Sequence, residues 1–421
     1  MQLPQIDTGV ELVIDRYRRH ISSGLATVAQ LSGGTFEQEA HGCWVLGGDG
    51  RRYLDVGGFG VFLLGHSHPA VVEAVCAQVR RRALATRMLL DPVLARAAET
   101  VARAAPAGLD YVHFVNSGAE AVETALKIAR LHGCRGIISA HGGFHGKTMG
   151  ALSVTSNDKL REPFRPLLPE VTAVPFGDAA ALAAALEAAP QSCCVIVEPV
   201  QGEGGVRIPP PGYLTQVRDL CTANDAVFVL DEVQTGLGRL GRWWGAEFDA
   251  VVPDILLVGK GLSGGVVPVA AAICAAPVYA PLSADPFLHP GTFAGNPLAA
   301  TAAHTVVQVI EREGIVAAAS ALGERLLARL TEVLMGECPE LITEVRGRGL
   351  MIGIDCVSPP VATELTLGLR QRAVLTNPSI NAGTVVRLTP AAVMSPADEE
   401  FLFQALAETA ADIAEFGHRY R

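Results

Sequence analysis

The sequence predicts an α/β protein: a large domain with a mostly parallel sheet covered by helices, plus a smaller α+β domain. Three observations predict it. Short apolar runs recur through the middle of the chain, at 111–115, 136–140, 171–174, 194–197, 226–230 and 255–258. Segments with helical spacing, such as 119–131 and 212–224, lie between several of them. Apolar strands alternating with helices signal a parallel sheet buried on both faces. After Pro297 the pattern changes to long helices at 298–313, 317–335 and 396–416, with strands within 344–355 and at 385–388.

The elements follow in order. Val10, Val13, Ile14, Tyr17 and Ile21 fall at helical spacing and predict an amphipathic helix over 10–21. Residues 42–56 read as short strands around a turn at Gly47-Gly48-Asp49-Gly50. The glycine-rich stretch 57–69 holds His66 and His68. A His-x-His pair can bind metal, but no carboxylate or cysteine adjoins this one in sequence, so no metal is expected. Helices are predicted over 70–82 and 91–105, and an alanine-rich surface helix over 179–189. The expected division is an N-terminal segment (1–60) packing with a C-terminal small domain (310–421), around a large domain (61–309).

Composition narrows the function. The chain has 421 residues, 49% of them hydrophobic, enough to bury a sizeable core. A formal charge of −10 without any basic block argues against nucleic acid or an anionic membrane as partner. Nine scattered cysteines, with Cys193 and Cys194 adjacent, form no disulfide framework or CxxC site and suggest reduced thiols in a cytoplasmic protein. The first ten residues, Met1 to Val10, carry no basic and apolar leader pattern, and no apolar run reaches the ~18 residues of a membrane span.

Four strand ends carry residues that need explaining. The run 111–115 leads into Asn116-Ser117-Gly118-Ala119-Glu120 and a helix. Backbone amides at a helix start, with a glycine for close approach, suit a phosphate. Ser117 also reads as a helix cap, with Glu120 completing a capping box. The run 194–197 ends in Glu198-Pro199-Val200-Gln201-Gly202-Glu203-Gly204-Gly205, a pocket-lining or solvated loop. The run 226–230 ends in Asp231-Glu232-Val233-Gln234-Thr235-Gly236. Asp231 could satisfy a cationic ring nitrogen or hydrogen-bond its own loop. The run 255–258 ends in Gly259-Lys260-Gly261. Lys260 is either a solvated lysine or a desolvated amine of lowered pKa, able to form a Schiff base. A GxGxxG match, Gly236-Leu237-Gly238-Arg239-Leu240-Gly241, lacks the strand–helix context of a dinucleotide site. A helix start for phosphate, an aspartate for a pyridinium, a glutamate loop and a glycine-flanked lysine are together what pyridoxal phosphate requires.

With these motifs the chain resembles a class III, fold type I pyridoxal-phosphate aminotransferase, most like the putrescine and ornithine aminotransferase branch. The resemblance spans about 42–411 and adds Phe144-His145-Gly146-Lys147-Thr148 and Thr292-Phe293-Ala294-Gly295-Asn296-Pro297. It implies that Lys260 holds the cofactor as a Schiff base and shuttles a proton, and that Asp231 pairs with the pyridine nitrogen. It implies that Gln234 bonds the ring hydroxyl, that Val233 and Phe144 cover the ring faces with His145 beside them, and that Ser117, Gly118 and Ala119 hold the phosphate. Thr292 is similar to a residue that reaches a phosphate across a dimer interface, so a homodimer is implied. Arg387 resembles the arginine that binds a substrate α-carboxylate, and Glu203 the carboxylate that pairs with it when the substrate has none. Relatives commonly carry Thr or Ser where this chain has Ala119. That removes a hydroxyl contact of the kind that contributes about 1.5–3 kcal/mol.

The reading is an aminotransferase that moves the terminal amine of a diamine or ornithine-like donor to a 2-oxo acid, 2-oxoglutarate or pyruvate, in two half-reactions. The competing readings are a class III aminomutase or decarboxylase, a non-catalytic binder on the same fold, and a biosynthetic transaminase for a specialised metabolite.

Overall fold

The computed structural model describes residues 9–31, 33–189 and 191–416. The first eight residues of the leader reading lie outside that range. The helix predicted at 10–21 runs from Val10 to His20, and a second, Ser23–Leu31, follows it. Strands β1 (Glu37–His41), β2 (Trp44–Gly47) and β3 (Arg52–Asp55) form an antiparallel meander about the predicted glycine turn.

Seven strands make the central sheet: β4 (Leu109–Val115), β5 (Gly136–Ala140), β6 (Val171–Val174), β7 (Cys193–Val197), β8 (Val227–Asp231), β9 (Ile255–Val258) and β10 (Ala270–Ala275), in the order β4-β10-β9-β8-β7-β5-β6. Strands β9, β8, β7, β5 and β6 pair in parallel. The run Cys193–Val197 is buried throughout: Cys193, Val195 and Val197 join the core on one face, and Cys194 and Ile196 the core on the other. Such continuous burial accounts for its unbroken apolar sequence.

Strand β10 is absent from the sequence expectation. Its sequence, Ala270-Ala271-Ala272-Ile273-Cys274-Ala275, is alanine-rich and carries no strand signal. It pairs antiparallel with both β4 and β9, so those two point the same way. The carboxyl ends of β4, β9, β8, β7 and β5 therefore meet at one edge, where ligands bind in open α/β sheets.

The C-terminal part contains β11 (Ile342–Arg348), β12 (Met351–Cys356), β13 (Val374–Leu375), β14 (Asn377–Ser379) and β15 (Ala382–Leu388). The stretch Arg346-Gly347-Arg348 lies within β11, which forms a hairpin with β12. Strands β11, β12, β15 and β14 make one sheet, while β13 pairs in parallel with β3. No helix among the described residues is long and apolar enough to cross a membrane.

Candidate active site

Strand β8 ends at the buried Asp231, and β9 is its parallel neighbour. After β9, Gly259 continues extended and Lys260 turns with φ 42°, a left-handed conformation costly for a residue with a side chain. The turn aims Lys260 into a cavity of ≈ 270 Å³ that is also lined by Gly118, Ala119, Phe144, His145, Asp231, Val233 and Gln234, with Glu198 and Glu203. One cavity thus gathers every sequence-predicted residue except Ser117, Thr292 and Arg387. Ser117 lines a second cavity of ≈ 390 Å³ that meets the first at Gly118 and Lys260.

The electrostatics follow from burial. Lys260 is partly exposed through the cavity, yet the surrounding protein lowers its ammonium pKa to about 8. Burial would also depress His145, but its Nδ1 lies 2.7 Å from Asp231 Oδ2, and that contact raises it above its ordinary value. A carboxylate only accepts, so Nδ1 carries the proton. The other Asp231 oxygen accepts from the Val233 amide at 3.1 Å, the loop hydrogen bond foreseen as an alternative role. Burial pushes Glu198 up to about 7; its oxygens accept from the amides of Phe144 (3.0 Å) and Gly202 (3.3 Å).

At the helix Gly118–Leu131, the Ser117 hydroxyl caps the Glu120 amide at 3.2 Å. The predicted reciprocal bond differs: the Glu120 carboxylate accepts from the Asn116 amide (2.7 Å), one residue before the cap. Gly118 leaves no room for a side chain, since a Cβ there would meet Val233 Cγ1 at 2.9 Å. Gly202 is required as well, because a Cβ there would stand 1.5 Å from Gln234 Oε1.

Arg387, on β15, is fully buried. Its Nη2 lies 2.7 Å from Glu203 Oε1, an ion contact not aligned as a hydrogen bond, so Nε, Nη1 and Nη2 all lack a hydrogen-bond acceptor. Burial would raise the Glu203 carboxyl, but Arg387 outweighs it and holds that carboxyl below its usual range.

Thr292 lies elsewhere, in a hollow of ≈ 220 Å³ shared with Arg87, Leu89 and Leu90, of which Leu90 is 99% exposed. The histidine pair of the glycine-rich stretch splits between distant carboxylates: His66 Nε2 meets Asp55 (2.8 Å) and His68 Nε2 meets Glu313 (3.2 Å). No group of three metal-ligating side chains occurs among the described residues. The GxGxxG stretch forms successive turns, and its buried Arg239 donates to the carbonyls of Leu350 and Gly60. Sequence reading missed Ile380 and Asn381, which touch Glu203; a turn between two short strands carries no chemical signature.

The model of the class-III aminotransferase family matches residues 28–409. The chain belongs to the class-III aminotransferases. Among solved structures it is similar to the ornithine aminotransferase of Toxoplasma gondii, at 32% identity over 98% of this chain and 96% of that one, with a TM-score of 0.90. It is similar also to an (S)-enantioselective omega-transaminase from Thermomicrobium roseum (29% identity, 97% and 100% covered, TM-score 0.88). A third is the acetylornithine aminotransferase of Elizabethkingia anophelis (29%, 96% and 100%, TM-score 0.82). This aminotransferase is therefore a fold type I, pyridoxal-phosphate-dependent transferase. Its cavity fits that cofactor. His145 Nε2 is buried without a partner, and Gly118 and Ala119, the first residues of the helix, line the same cavity.

Proposed function

We propose that this aminotransferase takes the terminal amino group of a diamine or ornithine-like donor and delivers it to a 2-oxo acid, 2-oxoglutarate or pyruvate, in two half-reactions. When bound, pyridoxal phosphate supplies the carbonyl that accepts the amine and the ring that draws electrons from the reacting carbon. Lys260 is the nucleophilic amine that holds it and later moves the proton at that carbon. Asp231, oriented by His145 and the Val233 amide, would keep the ring nitrogen protonated. Gln234 would hold the ring hydroxyl, Val233 and Phe144 would cover the ring, and the Ser117–Ala119 turn would take the phosphate. Thr292 completes a phosphate site in a second copy of the chain, so the active unit is a homodimer. The 1–60 and 310–421 segments act together as a small domain beside the large one.

The observation that carries the donor class is the buried Arg387 with its carboxylate neighbour, Glu203. A guanidinium with unused donors binds a carboxylate bidentately. In one half-reaction it binds the acceptor's carboxylate; in the other, Glu203 neutralises it while an amine end without a carboxylate occupies the site. The ornithine and acetylornithine aminotransferases to which the chain is similar support this reading. The test is the absorption spectrum of the purified protein, before and after adding putrescine or ornithine without any 2-oxo acid. A visible cofactor band that bleaches with either is the expected result. A band that neither amine touches would end the diamine reading, and multiple turnovers by Lys260→Ala would end the role of the lysine.

A further inference from the structure

We infer that Asn381 is a specificity-determining positioning residue: it fixes a turn that keeps Glu203 in a one-oxygen contact with Arg387 and so leaves the guanidinium open to a substrate carboxylate. The inference rests on the reading that Arg387 receives that carboxylate.

Glu203 is held from two sides. Its Oε1 approaches Arg387 Nη2 at 2.7 Å without hydrogen-bond alignment, while its Oε2 accepts from the Ile380 amide at 3.0 Å. The backbone carbonyl of Glu203 accepts from the Asn381 amide at 2.9 Å. This glutamate is thus held by the turn between β14 and β15 as well as by the arginine.

That turn is itself clamped. Asn381 Nδ2 donates to the carbonyls of Gly142 (2.9 Å) and Gly143 (3.2 Å), in the loop that presents Phe144. Its Oδ1 accepts from Asn157 Nδ2 at 2.7 Å. Asn381 therefore ties the turn to two further loops of the site.

The consequence is a competition. A carboxylate free to rotate meets a guanidinium with both oxygens, the strongest geometry available to the pair. Ile380 withholds one Glu203 oxygen from that fork. An incoming carboxylate that makes both contacts then displaces a weaker rival, and its apparent affinity rises with the fraction of protein in which Arg387 is accessible. If the turn loosens, Glu203 can close the fork and the carboxylate of the acceptor loses.

The experiment measures binding of glutarate, an unreactive dicarboxylate, to the holoenzyme by calorimetry. Asn381→Ala should weaken glutarate at least fivefold and raise KM for the 2-oxo acid, with kcat/KM for putrescine retained. Asn157→Ala should move both in the same direction by less. In a Glu203→Gln background, where no charged fork can form, adding Asn381→Ala should no longer change glutarate binding; a merely structural role would still lower it. Unchanged or tighter glutarate binding in folded Asn381→Ala overturns the inference, as does parallel loss toward both substrates. Arg387→Ala separates the two readings. If it abolishes glutarate binding while Asn381→Ala has no effect, only the inference on the turn falls. If it leaves glutarate binding intact, the carboxylate reading of Arg387 falls and takes the inference with it.

Discussion

His145 Nδ1 and Asp231 Oδ2 lie 2.7 Å apart with their side chains 1% and 5% exposed, a hydrogen-bonded pair in the wall of the cavity. Burial alone would strip the imidazole of its proton, and the aspartate reverses the balance. Two donors, His145 and the Val233 amide, therefore aim the Asp231 carboxylate while leaving it room for a further N–H.

Asp231→Asn should lose that charge with little change of shape. A hydrogen bond to a charged group contributes about 1.5–3 kcal/mol, so the first half-reaction should slow roughly 10–100-fold. His145 should then titrate below the ordinary imidazole range, because burial remains and the carboxylate is gone. Stopped-flow kinetics and NMR titration of the imidazole check the two expectations separately.

Lys260 gives a pH dependence with a definite sign. Burial lowers its amine to about 8, below the 10.5 of an unperturbed lysine. The folded protein therefore binds fewer protons than the unfolded chain between these values, and stability rises with pH across them. Below about 8 the penalty is fully present. In the cofactor-free protein, Lys260→Met should raise stability at pH 7 by about 1–3 kcal/mol, with allowance for partial exposure of the amine. The gain should vanish toward pH 10.5 in denaturant titrations.

Much of this was legible in the sequence because the chemistry sits at strand ends. Asp231, Lys260 and Glu198 each break an apolar run, and a polar residue there needs a partner or a role. What was illegible arises from contacts across long separations. The alanines of β10 look helical until β4 and β9 claim them from either side. Ile380 and Asn381 matter only because the fold returns the β14–β15 turn to Glu203, 177 residues earlier in the chain. Glu232 follows Asp231 at the same strand end, yet its carboxylate is taken up by Thr235, Gly245 and Ala246 and does not line the cavity.

Glu232 gives the third prediction. It is 0% exposed and accepts from the Thr235 hydroxyl (2.6 Å) and the amides of Gly245 (2.9 Å) and Ala246 (2.8 Å). Glu232→Ala would orphan two buried amides at about 1–3 kcal/mol each, lowering unfolding stability by about 2–6 kcal/mol with KM for both substrates kept. Burial also pushes this carboxyl up to about 7. The folded state then holds a proton that the unfolded chain releases near 4.5, so stability falls as pH rises from 4.5 to 7. Glu198 adds to the same slope, and Glu232→Gln should remove only the share due to Glu232.

The Glu203–Arg387 pair gives the last. Both members are buried, at 5% and 0% side-chain exposure, and they meet at 2.7 Å. Removing one partner of a buried pair strands the other, at a typical cost of about 3–5 kcal/mol. Glu203→Ala and Arg387→Ala should each destabilise by about that much, while the double variant should be less destabilised than the sum of the two. Kinetics should divide them. Arg387→Ala should raise KM for 2-oxoglutarate by at least tenfold and spare the putrescine half-reaction. Glu203→Ala should do the reverse, because an uncompensated guanidinium repels a cationic amine and favours any carboxylate. Equal losses in both half-reactions for either variant would mean that the pair only supports the fold, since a structural defect has no means of telling one substrate from the other.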